Sequence, residues 1–337
     1  MTTSVYVANA DSHDISVLAF DARTGDLAEV ERHAVGGVVM PLAASPDRRV
    51  LYASIRNEPL AVVSLAIDPA SGRLTEIGRA PLPASMCWIS TDRSGRYLLS
   101  ASYGGSVVAV SPIGADGAAR AAQQIIATEA NAHSVQVDPS NRYALVACLG
   151  GGLVRQLRFD ADNGRLVDND PPAWQARPKA GPRHFAFHPS APFVYLLNEL
   201  DAGIDVLAFD AGRGLLRGVQ TVSALPAGFA GGEPWAADIH LTPDGRFAYA
   251  SERRSSTIAA FAVDPWSGHL APLGSVPTEN QPRGFAITPD GRFLFAVGQI
   301  SHRLSRHAVD AATGALEKIG DQPVGKNPNW VEIVELG

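Results

Sequence analysis

Four arginines (Arg56, Arg183, Arg253, Arg283), three histidines (His133, His184, His240) and Lys326 share one kind of position in this 337-residue chain. Each lies at the beginning or the end of a short apolar run, where side chains from different runs can be brought to one place. Two carboxylates, Glu199 and Asp238, occupy the same kind of position, as do Trp88, Tyr103 and Asn329. Arginine forks bind carboxylate or phosphate in pairs of parallel hydrogen bonds, so a small anionic ligand suits such a set. Histidine and glutamate at its edge are groups able to take a proton from water. Oxygen ligands for a divalent ion are available from Asn198, Glu199 and Asp238, but the surrounding cations oppose it, and no metal or cofactor is expected. GxSxG, HExxH and Walker signatures are missing, and the glycines at 150–152 precede a strand rather than a helix.

What must position these residues is a repeat. The phrase Pro-Asp-Gly-Arg-aromatic followed by an apolar run is clear at Pro243 and Pro289, and looser at Pro46, Arg93, Pro139 and Pro189. Between the copies runs a second marker, Asp-x-x-x-Gly, at Asp21–Gly25, Asp68–Gly72, Asp160–Gly164, Asp210–Gly214, Asp264–Gly268 and Asp310–Gly314, with a degenerate GADGA at 114–118. Asp and Gly tolerate the backbone of tight hairpin turns, so each unit reads as four strands, a to d. Four-stranded units at a period near 50 residues are the signature of propeller blades. SVYVANA at 4–10 reads as a strand b without a strand a, and NPNWVEIVEL near the other end as a strand a without a strand b. Their union completes a seventh blade and removes an open sheet edge. The expected fold is therefore all-β: one seven-bladed propeller domain over 1–337, closed by its terminal strands.

In that topology the d-to-a and b-to-c loops share one face of the disc, so the residues named above converge at the mouth of the central channel. The opposite face carries Pro, Asp, Gly and Ser, read as simple solvated turns. Composition sets outer limits: the net charge of −6 argues against nucleic acid, and the uncharged stretches are too interrupted to span a membrane. Cys87 and Cys148 form no CxxC pair and are expected to be buried free thiols. His13, His33, His188, His269, His302 and His307 are assigned surface or turn roles. Without a basic and apolar leader at its start, the chain is expected in the cytoplasm, as monomer or dimer.

The stretches NAHSVQVDP, GPRHFAFHP, LLNELDAGIDV, EPWAADIHLTPDGRFAYASERRSSTI and QPRGFAITPDGRF carry a further signal. They resemble the seven-bladed propeller lactonases, which include bacterial 6-phosphogluconolactonases and are related to fungal carboxymuconate cyclases. The resemblance implies an active site of one histidine, two arginines and one glutamate, matching His133, Arg183, Arg253 and Glu199. It implies hydrolysis of a small anionic sugar lactone, 6-phosphoglucono-δ-lactone first, with aldarate lactones, muconate cycloisomerisation or a non-enzymatic scaffold as alternatives. The scaffold reading would put Trp88, Trp235 and Trp330 exposed on the mouth. In the lactonase reading Arg183 and Arg253 stabilise the oxyanion or anchor the anion, while Arg56, Tyr103, His184, Asp238, His240 and Arg283 bind substrate. His133 is preferred as base, with Glu199 orienting water or substrate. A histidine base would place the acid limb of activity near pH ~6.5.

Overall fold

The computed structural model describes residues 3–336 and contains seven antiparallel sheets of four strands each. The innermost strands are Pro328–Glu335, Val39–Ala44, Trp88–Thr91, Ala132–Val137, Pro182–Phe187, Ala236–Leu241 and Pro282–Ile287. The ring closes as expected, with Pro328–Glu335 antiparallel to Thr3–Asn9 and Val5 opposite Ile333. Blade 1 is thus made from both ends of the chain. Among the described residues no helix is long and apolar enough to cross a membrane.

The core lies in the gaps between blades. Tyr6 and Ile15 of blade 1 pack with Leu51 and Val63 of blade 2, and Phe20 of blade 1 packs with Phe293 and Phe295 of blade 7. Alternate residues of each central strand face one neighbour or the other, so those strands are apolar on both faces.

The repeated phrases prove to be fasteners between blades. In the hairpin turns Gly72, Gly268 and Gly314 donate to the carbonyls of Asp68, Asp264 and Asp310, with φ near +70° at each glycine. The strand-b aromatic of the preceding blade then covers each turn: the hydroxyls of Tyr6, Tyr195 and Tyr249 donate to the carbonyls of Gly72, Gly268 and Gly314 at 2.8–3.0 Å. The arginine of the Pro-Asp-Gly-Arg phrase does likewise. Arg142, Arg246 and Arg292 donate to the carbonyls of Ala211, Ala311 and Ala22, each in the next blade's turn. The turns of this face are therefore structural joints, not the plain solvated turns the sequence suggests. The degenerate GADGA segment marks a real irregularity: the outer strand of blade 3 shrinks to Gln124–Ala127, and Ile113 bridges back to Ala119.

Near its start almost every innermost strand carries a bulge. The ladder slips between Ala132 and Ser134, Pro182 and His184, and Pro282 and Gly284. A bulge sets two residues against one, so consecutive side chains can reach the same side of the sheet. This detail assembles the site.

Candidate active site

His133, Arg183 and Arg283 are each the second residue of an innermost strand, while Arg56, Tyr103, Glu199 and Arg253 directly follow the second strands of their blades. All seven lie at one end of the channel. Several strands are entered through a left-handed residue, Asn131, Gly181, Gln281 and Asn327, with φ between +52° and +75°. That conformation turns the incoming loop sharply onto the channel wall.

Glu199 is the centre of the group. Its Oε2 accepts from Arg183 Nε at 2.7 Å and from Arg253 Nη2 at 2.9 Å. Burial alone would raise its pKa, but the two guanidiniums outweigh burial and hold the carboxylate ionised. Arg253 also donates to the carbonyls of Trp235 and Ala236 and lies over the Trp235 ring, 3.8 Å from its centroid. Burial and the like charge of Arg183 lower its pKa. Arg183, 1% exposed, donates through Nη1 to the Ala237 carbonyl and contacts His184 Nε2 at 3.2 Å. Among the described residues this leaves Nη2 of Arg183 and Nη1 of Arg253 with no protein acceptor.

His133 is 4% exposed, its Nδ1 has no partner, and its ring meets the edges of Tyr103 and His184 at centroid distances of 5.8 and 5.0 Å. Burial first, then the charge of Arg183, push its pKa well below 6.5. The imidazole is therefore neutral at neutral pH.

Arg56 and Arg283 form a second group. Arg56 donates to Ser85 Oγ at 3.0 Å, and both guanidiniums reach the sulfur of Met40, at 2.9 and 3.3 Å. Among the described residues neither has a carboxylate partner. Burial and the charges of Arg183 and Arg56 pull Arg283 down to about 10. A recess of about 390 Å³ opens beside Arg283, bounded also by Asp11, Trp235, Gln281, Gln299 and Asn327. Sequence reading passed over Met40, Gln281 and Gln299. The one usable signal was the recurring residue-Pro step at strand entry in GlyPro, GlnPro and AsnPro.

Three residues expected to bind substrate stand elsewhere. His184 and Asp238, 2% and 6% exposed, lie inside the channel, joined by His184 Nδ1 donating to Asp238 Oδ1 at 2.8 Å. Trp88 and Trp330 fill the channel beside them, with Trp88 4.7 Å from the His184 ring and 5.3 Å from Trp330. These indoles are half-buried and line the cavity on the far side of the channel rather than an exposed rim at the mouth. Below this plug is a separate cavity of about 460 Å³ opening on the opposite face, lined by His240, Glu332, Gln136 and Ser90. His240 belongs to it and not to the mouth. Burial lifts Glu332 there to about 7, whereas at His240 the Asp238 carboxylate outweighs burial and raises the pKa.

Other placements differ too. Lys326 is exposed on a loop. His307 is fully buried, with burial lowering it to about 4, rather than on the surface. His188 does hold a turn, its Nδ1 accepting from the backbone of Ser190 and Ala191. Cys87 and Cys148 are buried free thiols. Asn198 donates its amide to Asp205, Glu199 is held by Arg183 and Arg253, and Asp238 by His184 and His240. Among the described residues no three His, Cys, Asp or Glu side chains group around a cation position.

A family model described as "Lactonase, 7-bladed beta-propeller" matches residues 2–333. The chain belongs to the seven-bladed β-propeller lactonases. A 6-phosphogluconolactonase of Pectobacterium carotovorum is 43% identical over 286 residues, covering 85% of this chain and 84% of the relative. One from Serratia proteamaculans is 42% identical over 285 residues, covering 85% of each. Among solved structures, a periplasmic gluconolactonase of Pseudomonas aeruginosa superposes with a TM-score of 0.93 at 30% identity, covering each chain completely. Family membership makes this chain a lactonase and directs attention to the arginine-rich mouth.

Proposed function

We propose that this lactonase hydrolyses a six-carbon sugar lactone carrying an anionic substituent, 6-phosphoglucono-δ-lactone before the others. The observation that carries the reading is the unbalanced charge at the mouth. Glu199 neutralises part of the Arg183–Arg253 pair, while among the described residues Arg56 and Arg283 converge with no carboxylate in contact with either. Crowded cations of this kind favour an anion, and guanidinium forks suit phosphate. Of the two roles open to Arg183 and Arg253, this favours oxyanion stabilisation and leaves the anchor to Arg56 and Arg283, already expected to bind substrate.

Chemistry then falls to the first group. A water attacks the lactone carbonyl and gives its proton to neutral His133, forming the C–O bond of a tetrahedral oxyanion. The unpartnered N–H groups of Arg183 and Arg253 stabilise that oxygen. Collapse of the intermediate breaks the ring C–O bond, and the imidazolium returns its proton to the leaving alkoxide, leaving a hydroxy acid that ionises. Glu199, ionised and shared between two guanidiniums, orients them and is poorly suited to be the base. Tyr103 borders the His133 ring and stays assigned to substrate contact.

The chain acts in this reading as one domain with no nucleic-acid or membrane partner. A cytoplasmic location is supported by two unpaired cysteines, and fractionation with a periplasmic marker tests it against the location of the Pseudomonas relative. The activity is tested by pH-stat titration of 6-phosphoglucono-, glucono-, glucaro- and galactarolactone. The expected result is the highest kcat/KM on the phosphorylated lactone. A carboxylated lactone in first place would replace phosphate by carboxylate as the anchored group, and no turnover above spontaneous hydrolysis on any of them would end the proposal.

A further inference from the structure

We propose that Asp238 and His184 are positioning residues that fix the donor direction of Arg183 from inside the channel. The inference rests on the lactonase reading for its activity readout, but its geometry stands alone.

The Asp238 carboxylate gathers donors on both oxygens. Oδ1 accepts from His184 Nδ1 at 2.8 Å and from the backbone N–H of Ile239 at 3.0 Å, while Oδ2 accepts from His240 Nε2 at 3.2 Å. Burial would favour the neutral acid, but the His240 charge and the imidazole hydrogen bonds dominate and keep Asp238 ionised. An ionised carboxylate can only accept, so the proton on His184 is assigned to Nδ1. The other nitrogen of His184 then presents a lone pair. Burial and the charge of Arg183 lower the His184 pKa to about 3, which keeps that lone pair free at neutral pH.

Arg183 Nη1 meets this lone pair at 3.2 Å while also donating to the Ala237 carbonyl. Both Nη1 hydrogens are thus committed, and Nε is committed to Glu199. With three of five N–H groups fixed, the planar guanidinium has one orientation, and Nη2 is left for the ligand. A neutral imidazole of the other tautomer would turn an N–H toward the arginine and repel it. Trp88 and Trp330 pack against the imidazole and hold the ring in place. The bulge at Pro182/His184 is what lets the adjacent Arg183 and His184 both reach the channel.

The test uses amide side chains as partial imidazole mimics. Glutamine at 184 can set its carbonyl oxygen near the Nε2 position and accept from Arg183, whereas asparagine reaches only the Nδ1 position. His184→Asn and His184→Ala are expected to lose about ten- to hundred-fold in kcat, the range for a lost hydrogen bond to a charged donor. His184→Gln should recover at least several-fold of that loss, with KM little changed in all three. Asp238→Asn should lose kcat comparably and also lose the slowly exchanging Nδ1–H resonance of His184 in proton NMR of the intact protein. Equal losses in the Gln, Asn and Ala variants that track their melting temperatures would overturn the proposal in favour of simple packing. Absence of the Nδ1–H resonance from the parent protein would overturn it independently of catalysis. A resonance present in a parent inactive on every lactone would leave the positioning geometry standing and remove the lactonase reading alone.

Discussion

Replacing Arg283 by methionine removes a charge that the free protein holds at a cost. Burial and two neighbouring guanidiniums bring Arg283 from its usual 12.5 to about 10. At ~1.4 kcal/mol per pH unit, that shift corresponds to at most about 3.5 kcal/mol of disfavoured charge, less where solvent screens it. An anion seated between Arg283 and Arg56 relieves this repulsion and gains charge-assisted hydrogen bonds worth ~1.5–3 kcal/mol each. Arg283→Met is therefore expected to lower kcat/KM for 6-phosphoglucono-δ-lactone by about ten- to hundred-fold, at tenfold per ~1.4 kcal/mol. Neutral glucono-δ-lactone should change by less than about threefold, because it brings no charge to the pair. The melting temperature should hold or rise, since the side chain's only acceptor among the described residues is the weak Met40 sulfur. The assay is the ratio of the two kcat/KM values, measured by pH-stat beside a thermal melt. An equal fall on both lactones would refute the anchoring argument, and so would a fall in melting temperature with the ratio unchanged.

Three further outcomes follow from the same geometry. His133→Ala should lower kcat by about a hundred-fold or more while folding normally, and the parent acid limb should lie well below 6.5; a limb at 6.5 or above would contradict a base whose pKa is depressed by burial. His133, His184 and His307 are buried neutral, so their contribution to stability is complete above ~6.5 and is lost as pH falls toward their depressed values, by up to ~1.4 kcal/mol per pH unit for each. Glu332 and His240, both raised, oppose this over the same range but are fewer, so a net fall in melting temperature from pH 7 to 5 is expected, and a rise over that range would refute it. Deleting Val331–Gly337 removes the pairing of Val5 with Ile333 and its neighbours, and should unfold the ring or sharply lower its melting temperature; a truncated chain melting like the parent would rule the closure out.

The seven blades were legible because period and turn chemistry repeat along the chain, and a repeat needs no knowledge of side-chain packing. The site was legible only as a list. Plain alternation along a strand sends Arg183 and His184 to opposite sides, and nothing in GPRHFAF announces the bulge that brings both into the channel. Depth was equally hidden. His240 sits two residues beyond Asp238, far enough along the strand to face the other cavity instead of the mouth. The structural use of the arginines in Pro-Asp-Gly-Arg escaped notice because their partners are backbone carbonyls some 65–70 positions away, as in Arg142 with Ala211 and Arg246 with Ala311. Carbonyls have no residue-type signature, so sequence cannot point to them.

The same limit explains why the residues alone could not tell four arginines at one mouth apart, and why only the family resemblance set Arg183 and Arg253 against Arg56 and Arg283. What separates them is the company each keeps. An arginine held by a carboxylate and by backbone carbonyls loses net charge but gains a fixed direction, which suits an oxygen that becomes negative only in the transition state. Arg183 and Arg253 are of this kind, tied by Glu199 and by the carbonyls of Ala237, Trp235 and Ala236. An arginine held only by a hydroxyl or a thioether keeps its charge, which suits an anion already present in the substrate. Arg56 and Arg283 are of that kind. Directed donors raise the rate of every lactone that fits, and a bare charge selects among lactones. Substitutions in the first pair should therefore act chiefly on kcat whatever the substrate, and those in the second on the ratio between charged and neutral substrates.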